Sequence, residues 1–312
     1  MILTVTLNAA IDKVYIVEAY DVGCVNRVKE CKYSAGGKGL NVSRVATIAG
    51  AEVLATGFVG GHAGNYIVDT LNSEHVANDF IHVPSESRSC INIFDESKKE
   101  HTEFLEPGFT VDSSEITKIL EKFEELVQIC DVCVISGSVP KGADSRIYVD
   151  MIRIAKSYQK KILVDTSGQL LIDSVASLPS MIKPNTDEVC MITGKELNTE
   201  EDLIQAATRL YESGIELVVI SRGSKGSLIV GKEGIYRAGI PEITPVNTVG
   251  CGDSMMAGYA VGMERGMKTE DMIRFASGVA AANALRPETG FIVMEDVEKL
   301  IPEIPVTLIQ KF

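Results

Sequence analysis

Two glycines and a carboxylate stand where an apolar, helix-period stretch of the chain begins, in the segment Asn247-Thr248-Val249-Gly250-Cys251-Gly252-Asp253. A helix N-terminus preceded by glycine offers unpaired backbone N–H groups to an anion, and Asp253 adds an acceptor-only group directly after them. The pairing suits phosphoryl transfer, because the N–H groups would neutralise charge on the migrating phosphoryl group while the carboxylate accepts a proton from a substrate hydroxyl. Taken alone, such a segment is more commonly a glycine-rich turn with a helix-capping Asp.

A second glycine-rich segment, Ala35-Gly36-Gly37-Lys38-Gly39-Leu40-Asn41, precedes another helix-like stretch. Three glycines in four residues let the backbone approach a ligand closely, Lys38 adds a positive charge, and Asn41 offers a donor and an acceptor to a hydroxyl. The segment is not a Walker A loop, because no Ser or Thr follows the lysine, and it lacks the glycine spacing of a dinucleotide site. It could hold a phosphosugar, and a flexible loop before a helix is the alternative.

The composition narrows the class of protein. A chain of 312 residues can bury a large core, and 45% hydrophobic with 23% charged residues is typical of a soluble globular protein. The net charge of −13 argues against nucleic acid as a partner and provides no basic stripe for an anionic membrane. The sequence has no apolar run long enough to span a bilayer, and its first residues do not resemble a signal peptide. We therefore expect a cytoplasmic protein without a membrane partner.

The seven cysteines are odd in number and scattered, which is typical of reduced thiols in a cytoplasm. Cys130 and Cys133 form a C-x-x-C pair that could in principle be redox-active. Because the pair lies at the start of a strand-like run and has no second pair or nearby His, packing in the core is favoured. Four His in the whole chain leave little material for a metal site built on imidazole.

Apolar runs of strand length alternate with amphipathic helices, which predicts a doubly wound, mostly parallel α/β sheet flanked by helices. The predicted strands are Glu52 to Phe58, Asp131 to Ser136, Lys161 to Asp165, Met181 to Lys183 and Leu217 to Ser221. The clearest predicted helices are Ser114 to Ile129, Ser145 to Tyr158, Glu200 to Ser213, Ser254 to Arg265 and Thr269 to Leu285.

Two segments break this alternation. Lys13 to Ala19 with Arg27 to Tyr33, and Ser89 to Asp95 with His101 to Leu105, alternate apolar and polar residues as hairpins do. They predict a small β-sheet that stands off the main one.

From Gly36 to Gly60 and from Asn247 to Ala260, the chain resembles the two signatures of the ribokinase/PfkB family of carbohydrate kinases. The resemblance extends over nearly the whole chain and implies a ribokinase-like α/β domain over residues 1–312, with ATP and Mg²⁺ as cofactors. It also implies a lid, inserted from about 12–34 and 87–107, that covers the sugar and could pair with a second lid to form a homodimer.

The resemblance implies the catalytic residues. Gly250, Cys251 and Gly252 would form the anion hole, and Asp253 would accept the proton of the attacking hydroxyl. Cys251 departs from the family, which has a small residue there, but a Cys should be tolerated because backbone groups do the work. Since a helix N-terminus favours the thiolate, we expect Cys251 to react with thiol reagents faster than a buried cysteine such as Cys133.

The substrate site follows from residues and resemblance together. Asp12 comes just past the first buried strand, at the mouth of the sheet where ligands bind, although an Asp in a surface turn would look the same. Arg88 could grip a phosphate bidentately or could be a solvated edge-strand residue. Because the phosphosugar branch of the family has this Arg together with the Lys of the glycine segment, the pair implies a phosphate site. The implied substrate-binding residues are Asp12, Asn26, Gly37, Lys38, Asn41, Arg88 and Ser138.

The nucleotide side is also implied by short motifs. The N-x-x-E portion of Lys183-Pro184-Asn185-Thr186-Asp187-Glu188 matches the family element that organises Mg²⁺ through water and phosphate, so the implied metal residues are Asn185 and Glu188. An ordinary helix start with an acidic first turn is the alternative. The segment from Ser221 to Gly226 resembles the family's nucleotide loop. The implied cofactor-binding residues are Lys183, Asn185, Ser221, Gly223, Gly226 and, near the adenine, Asn283.

The expected activity is that of an ATP-dependent phosphosugar kinase, in the branch that includes tagatose-6-phosphate kinases and 1-phosphofructokinases. The segments Arg88 to Ile91, Phe104 to Gly108 and Thr289 to Phe291 favour tagatose-6-phosphate, with fructose-1-phosphate as the alternative substrate. A dinucleotide oxidoreductase is disfavoured because Asn-Ala-Ala follows Leu7 where a glycine fingerprint is needed. A non-catalytic sugar-phosphate sensor would be expected to lose Gly250, Gly252 or Asp253, and all three are present.

Overall fold

The computed structural model describes all 312 residues, which form fifteen strands and ten α-helices. The strands are β1 Ile2–Thr6, β2 Ala10–Val17, β3 Glu30–Gly36, β4 Val53–Gly60, β5 Ala77–Asn78, β6 Ile81–Val83, β7 Arg88–Asp95, β8 Glu100–Leu105, β9 Val132–Ser136, β10 Lys161–Asp165, β11 Met181–Ile182, β12 Leu217–Ser221, β13 Ser227–Gly231, β14 Gly234–Ala238 and β15 Val306–Lys311. The helices are α1 Lys38–Ile48, α2 Gly61–Ser73, α3 Ser113–Val127, α4 Arg146–Ser157, α5 Gly168–Ala176, α6 Thr186–Thr193, α7 Glu200–Glu212, α8 Cys251–Glu264, α9 Thr269–Ala284 and α10 Met294–Leu300.

The main sheet has eleven strands in the order β15-β14-β13-β12-β11-β10-β9-β1-β4-β5, with β6 also paired to β4. All pairs from β12 to β5 are parallel, and β13, β14 and β15 close one edge in antiparallel register. The central strands β1 and β9 are buried at every position, as expected for parallel strands covered by helices on both faces. The predicted fold class, a mostly parallel α/β sheet flanked by helices with a smaller separate sheet, is confirmed.

Helices cover the two faces of the sheet with separate cores. On one face, α1, α8 and α9 pack against strand residues that include Ile2, Val132 and Leu163. On the other face, α3 and α4 pack against the alternate residues Leu3, Cys133 and Ile162. Because side chains alternate across a strand, one short apolar run supplies both cores.

The smaller sheet, called the lid sheet below, has four strands in the order β3-β2-β7-β8. Its two hairpins, β2 with β3 and β7 with β8, are antiparallel, and they join through a parallel pairing of β2 with β7. The alternating patterns thus predicted the strands correctly but did not reveal how the hairpins meet. The parallel register places Asp12 beside Cys90 and Ala10 beside Arg88.

The predicted strands and helices are confirmed, with ends that differ by up to about three residues. The largest difference at a functional position is at α8, which begins at Cys251 rather than Ser254, so that Asp253 lies inside the first turn. The antiparallel edge strands β13 to β15 and the helices α2, α5, α6 and α10 were not among the predicted elements. None of the helices has both the length and the apolar character needed to cross a bilayer.

The cysteines are all free thiols. Cys130 and Cys133 are buried, and their Sγ atoms lie 3.2 Å apart within the core between the sheet and α3. Packing of the C-x-x-C pair in the core is therefore confirmed.

The packing of α8 on α9 depends on a glycine. A Cβ added to Gly258 would lie 2.5 Å from the Cα of Ala276, which is backbone and cannot rotate away. On the same helix, a Cβ at Gly262 would instead meet the side chain of Met272. A methionine side chain can move aside, whereas a helix backbone cannot.

We expect Gly258→Ala to force α8 and α9 apart and to lower the free energy of unfolding by about 1–3 kcal/mol, as overpacking of a dense core does. The matched control, Gly262→Ala, should cost less because Met272 can repack. Urea denaturation of the three proteins checks this, and equal losses in the two variants would contradict it.

Candidate active site

A cavity of about 500 Å³, called the central cavity below, lies between the carboxyl ends of the main-sheet strands and the lid sheet. Residues at the ends of β1, β9, β10 and β11 form its floor, the first residues of α1 and α8 form one wall, and β2, β7 and β8 form its roof. Ten of the predicted site residues line it together: Asp12, Gly37, Lys38, Asn41, Arg88, Ser138, Lys183, Gly250, Gly252 and Asp253.

Two helix N-termini open into the central cavity without a side-chain cap. The residue before α1 is Gly37 with φ of 109°, and the residue before α8 is Gly250 with φ of 83°. Both values lie in a region that favours glycine. A Cβ at Gly250 would also lie 2.8 Å from the backbone N of Gly290. The uncapped N–H groups and the helix dipoles make both positions suitable for an anion.

Asp253 is buried in the first turn of α8, where its Oδ2 accepts a 2.8 Å hydrogen bond from Nδ2 of Asn41. Burial raises the pKa of Asp253 to about 6, and the nearby carboxylate of Asp165 adds to the rise. Asn41, Lys38 and Lys183 oppose it by favouring the ionised form. The carboxylate is therefore ionised at neutral pH but is more basic than an exposed Asp, which suits a proton acceptor.

Asp165 was missed by the sequence reasoning, although strand β10 was correctly predicted to end on it. Its two carboxylate oxygens face different lysines, with Oδ2 3.3 Å from Nζ of Lys183 and Oδ1 3.9 Å from Nζ of Lys38. Asp165 and Lys183 are both buried. Asp165 is the main group that raises the pKa of Lys38, so this lysine stays charged beside the cavity. An acid at the carboxyl end of a predicted parallel strand was the signal available.

Asp12 lies on β2 of the lid sheet and faces the floor of the cavity. A Cβ at Gly36, on the neighbouring strand β3, would overlap its carboxylate, so this approach requires glycine. Burial raises the pKa of Asp12 to about 6, while Arg44, Arg88 and a backbone N–H of Gly37 oppose the rise.

Arg88 and Ser138 are tied together through Asn8, a residue the sequence reasoning did not select. Nε of Arg88 donates to the backbone O of Asn8 at 3.1 Å, and Nη1 donates to the backbone O of Glu106 at 3.0 Å. Nδ2 of Asn8 donates to Oγ of Ser138 at 3.1 Å. Arg88 is thus an oriented, half-buried residue of the cavity and not a solvated edge residue.

Asn26 is the predicted substrate residue that the structure does not bring to the cavity. It lies in the exposed loop between β2 and β3, where its Oδ1 accepts from the backbone N of Asp21 and its Nδ2 donates to the backbone O of Asp21. The side chain stabilises its own loop. A substrate contact of Asn26 therefore stays a prediction, because in this single chain its amide is used within the loop.

The predicted nucleotide residues lie beside a second cavity of about 560 Å³, called the side cavity, which is lined by Asn185, Ser221 and Gly223. Gly226 closes the adjoining turn with φ of 76°, and a Cβ there would overlap the backbone of Ala238. Lys183 lines the central cavity, and Asn185, two residues later in the chain, lines the side cavity. Lys183 therefore lies at the boundary between the two cavities.

The N-x-x-E element forms a capping box at the start of α6. Oδ1 of Asn185 accepts from the backbone N of Glu188, and Oε2 of Glu188 accepts from the backbone N of Asn185, both at 2.9 Å. In this structure the two side chains therefore cap the helix, as the alternative of an ordinary helix start predicts. No group of three or more His, Cys, Asp or Glu side chains converges as a metal-binding cluster. The second oxygen of Glu188 is not engaged in the box, and its charge contributes to raising the pKa of Lys38.

Asn283 is completely buried and lines neither cavity, so its role near the adenine stays a prediction. Oδ1 accepts from Oγ of Ser254 and from the backbone N of Gly290 and Phe291, while Nδ2 donates to the backbone O of Val249. The residue braces the loop before α8, and its polar atoms are used within the protein.

Cys251 also differs from the expectation. It is the first residue of α8, but burial raises the pKa of its thiol, with Asp253 contributing to the rise, and a hydrogen bond with Asn283 opposes it. The prediction of a favoured thiolate is wrong, because desolvation and a neighbouring carboxylate outweigh the helix N-terminus.

A family model for pfkB family carbohydrate kinases matches residues 5–296. The chain belongs to this family. Tagatose-6-phosphate kinase of Staphylococcus epidermidis is 35% identical over 309 residues, covering 98% of this chain and 99% of that protein. The kinase is therefore similar over its whole length to an enzyme named for a phosphosugar.

Solved structures of kinases are similar to this kinase over its whole length. Phosphofructokinase-2 of Escherichia coli has a TM-score of 0.92 and 27% identity, covering 96% of this chain and 98% of that one. A protein of Thermotoga maritima described as a possible 1-phosphofructokinase has a TM-score of 0.90 and 28% identity, covering 99% and 100%. The ribokinase of Arabidopsis thaliana, at 20% identity, TM-score 0.79 and 96% and 98% coverage, has the same fold. The ribokinase-like fold is confirmed.

Asp253→Asn should stabilise this kinase at pH 7. A carboxyl group whose pKa is about 6 in the folded protein and 3.8 when unfolded binds protons more tightly when folded, so stability falls as pH rises from 4 to 6. The full shift corresponds to about 3 kcal/mol, and we expect a gain of about 1–3 kcal/mol from removing the buried charge.

Thermal melts of parent and variant at pH 4 and pH 7 check this prediction. The gain should be present at pH 7 and largely absent at pH 4, where the parent carboxyl is protonated as well. Asp271→Asn, which removes an exposed acid from the first turn of α9, is the matched control and should not stabilise. A loss of stability in Asp253→Asn at pH 7 would contradict the argument.

Proposed function

We propose that this kinase transfers the γ-phosphate of ATP to the 1-hydroxyl of tagatose-6-phosphate and produces tagatose 1,6-bisphosphate. The observation that carries the proposal is one cavity in which Asp253, two uncapped helix N-termini, Lys38 and Arg88 meet. The 35% identity to a tagatose-6-phosphate kinase over nearly the full length of both proteins supports the choice of sugar.

Phosphate recognition is assigned to Lys38 and Arg88. Both line the central cavity, and Arg88 is oriented by two backbone carbonyls that use Nε and Nη1. Because the guanidinium is rigid and planar, these two bonds also fix the direction of Nη2, which can donate to a phosphate oxygen. A phosphosugar would therefore be held at its phosphate end on the lid side, with Asp12 and Asn41 orienting its hydroxyls.

Asp253 is assigned the role of base. Its raised pKa makes it a better proton acceptor than an ordinary Asp while leaving it ionised at pH 7. The backbone N–H groups after Gly250, at Cys251 and Gly252, would stabilise the charge on the transferring phosphoryl group, and Lys183 adds a positive charge beside them. In phosphoryl transfer, such positioning and charge stabilisation supply most of the catalysis.

ATP is assigned to the side cavity and its boundary with the central cavity, through Lys183, Asn185, Ser221, Gly223 and Gly226. Mg²⁺ fits the residues present, because Glu188 keeps one carboxylate oxygen outside the capping box, and Mg²⁺ retains several of its waters in such sites. When bound, the ion would neutralise charge on the phosphates. Asn185 is bound in the capping box, so its part is to hold Glu188 in place.

Fructose-1-phosphate is the alternative substrate. It is favoured by the similarity to the Thermotoga maritima protein described as a possible 1-phosphofructokinase. The proposed base, anion hole and phosphate residues would serve either sugar, so the choice depends on which hydroxyl is brought to Asp253.

A cytoplasmic homodimer through the lid sheet completes the proposal. The lid exposes large apolar side chains, with Leu105 63% and Phe104 50% exposed on β8 and Val22 and Val25 exposed in the β2–β3 loop. Exposed apolar clusters of this kind mark interaction surfaces. Phosphofructokinase-2 of Escherichia coli, a structural neighbour, has been solved as a tetrameric inhibited form. Free thiols at all seven cysteines are compatible with a reducing compartment.

Steady-state ATP turnover with a panel of tagatose-6-phosphate, fructose-1-phosphate, fructose-6-phosphate and free tagatose tests the function. The highest kcat/KM is expected for tagatose-6-phosphate and the lowest for the free sugar. Asp253→Asn should lower kcat by about a hundredfold or more with little change in KM for ATP. A higher kcat/KM for fructose-1-phosphate would make that sugar the substrate in place of tagatose-6-phosphate. Binding of the phosphosugar without turnover would indicate a sensor and would overturn the proposed activity.

Arg88→Ala separates phosphate recognition from chemistry. It should raise KM for the phosphosugar, because the loss of a hydrogen bond to a charged group costs about 1.5–3 kcal/mol of binding free energy. KM for ATP should stay unchanged. Arg153→Ala, which removes an exposed arginine from α4, is the matched control and should change neither constant. An unaltered phosphosugar KM in Arg88→Ala would remove Arg88 from the phosphate site.

A further inference from the structure

A buried row of polar side chains leads from the end of α2 to Asp253. Nε of Arg44 donates to Oε1 of Glu74 at 2.8 Å, and Nη1 of Arg44 donates to Oδ1 of Asn41 at 3.2 Å. Nδ2 of Asn41 then donates to Oδ2 of Asp253 at 2.8 Å. Arg44, Asn41 and Asp253 are each at most 7% exposed, so water does not compete for these bonds.

The order of donors and acceptors in this row is set by Arg44. A guanidinium can only donate and an ionised carboxylate can only accept, whereas an amide has one end of each kind. With Arg44 on one side, the Oδ1 of Asn41 must face it, and Nδ2 must face Asp253. The opposite orientation would place oxygen against carboxylate and NH₂ against guanidinium, and both contacts would be repulsive.

Arg44 and Asn41 are themselves held in place. Nη2 of Arg44 donates to the backbone O of Ala35 at 2.6 Å, so its three kinds of nitrogen are bound to three different elements. A Cβ at Gly290 would lie 2.7 Å from the Cβ of Asn41, which shows how closely the turn before α10 covers the amide. The row can therefore transmit a position, because three hydrogen bonds orient Arg44 and the turn before α10 covers Asn41 closely.

We infer that Arg44, acting through the amide of Asn41, is a positioning residue that fixes the carboxylate of Asp253 toward the reacting hydroxyl. The inference rests on the proposed role of Asp253 as the base. It assigns to Arg44 a part in the reaction although Arg44 does not line the central cavity, where the other assigned residues lie.

The charge of Arg44 also acts on Asp12. Other charged or titratable groups that face Asp12 are Arg88 and Cys90 on β7 and Glu103 on β8. A neighbouring cavity of about 390 Å³, which Asp12 shares with Arg44, is also lined by Lys32, Tyr33, Glu74, His101 and Glu288. Among them, Arg44 is the charge that most strongly lowers the pKa of Asp12 against the effect of burial. Removing this charge should therefore move the acid limb of kcat/KM to higher pH.

Four single variants and one double variant test the inference. Arg44→Met should lower kcat by up to about a hundredfold, because a reacting group is misplaced. It should also shift the acid limb of the kcat/KM profile to higher pH. Arg44→Lys keeps the charge but loses the planar fork, so kcat should fall while the acid limb stays. Glu74→Gln, the matched control, removes the negative charge of the outer partner but keeps an oxygen that can accept from Nε of Arg44, so it should lower the melting temperature without changing kcat or the acid limb.

A double-mutant cycle with Asn41→Ala decides whether Arg44 acts through the amide. In the Asn41→Ala background, Arg44→Lys should change kcat by less than about threefold, because the group it positions is already gone. The same loss in both backgrounds would overturn the inference. The use of Arg44→Lys keeps the test valid if Arg44→Met does not fold.

A readout without catalysis separates this inference from the proposed function. In ¹⁵N NMR spectra, the side-chain NH₂ of Asn41 should titrate near pH 6 with Asp253 in the parent and in Glu74→Gln. In Arg44→Lys, this titration should be lost or strongly reduced. Its persistence would overturn the role of Arg44 even if the parent turned over no phosphosugar, whereas absence of turnover alone would count against the proposed function.

Discussion

Asp253 and Asp165 are two buried carboxylates at the same edge of the main sheet, and their charges must be balanced there for the site to exist. Lys183 and Lys38 provide this balance, with their Nζ atoms 3.3 Å and 3.9 Å from the oxygens of Asp165. Because unpaired buried charges are costly, neither lysine can be removed without affecting both acids. The two lysines place positive charge where phosphates would bind, while burial and the charge of Asp165 keep the pKa of Asp253 raised.

Glycines allow the charged groups to come this close. Gly36 lets the carboxylate of Asp12 pack against β3, and a Cβ at Gly252 would lie 3.3 Å from Nζ of Lys183. Gly37 and Gly250 begin the two helices whose N–H groups face the central cavity. In each case the missing side chain brings backbone and charge into contact, which is the geometry an anion site needs.

The lid sheet belongs to the site and to the surface at once. Its inner side carries Asp12, Arg88 and Leu105, which line the central cavity, while Phe104, the preceding residue on β8, is 50% exposed. Because β2 and β7 are paired in parallel, Asp12 and Arg88 are held in one register across the roof of the cavity.

Local sequence determined the elements and much of the site. The strand and helix patterns and the two glycine segments with Lys38 and Asp253 could be read from the chain, because periodicity and glycine spacing are local properties. Asp12 and Arg88 were selected through the resemblance to the family. The Asn-x-x-Glu element was ambiguous for the same reason, since a capping box and a metal element share one spacing.

Tertiary structure decided which polar groups meet. Asn41 and Asp253 are 212 residues apart in the chain, and Asp165, Arg44 and Asn8 join the site only because the ends of separate elements converge. It also placed Asn26 and Asn283 away from the central cavity, with their amides bonded to nearby backbone, and it raised the pKa of Cys251 through burial. Desolvation and long-range pairing depend on what surrounds a side chain in space, which a linear pattern does not contain.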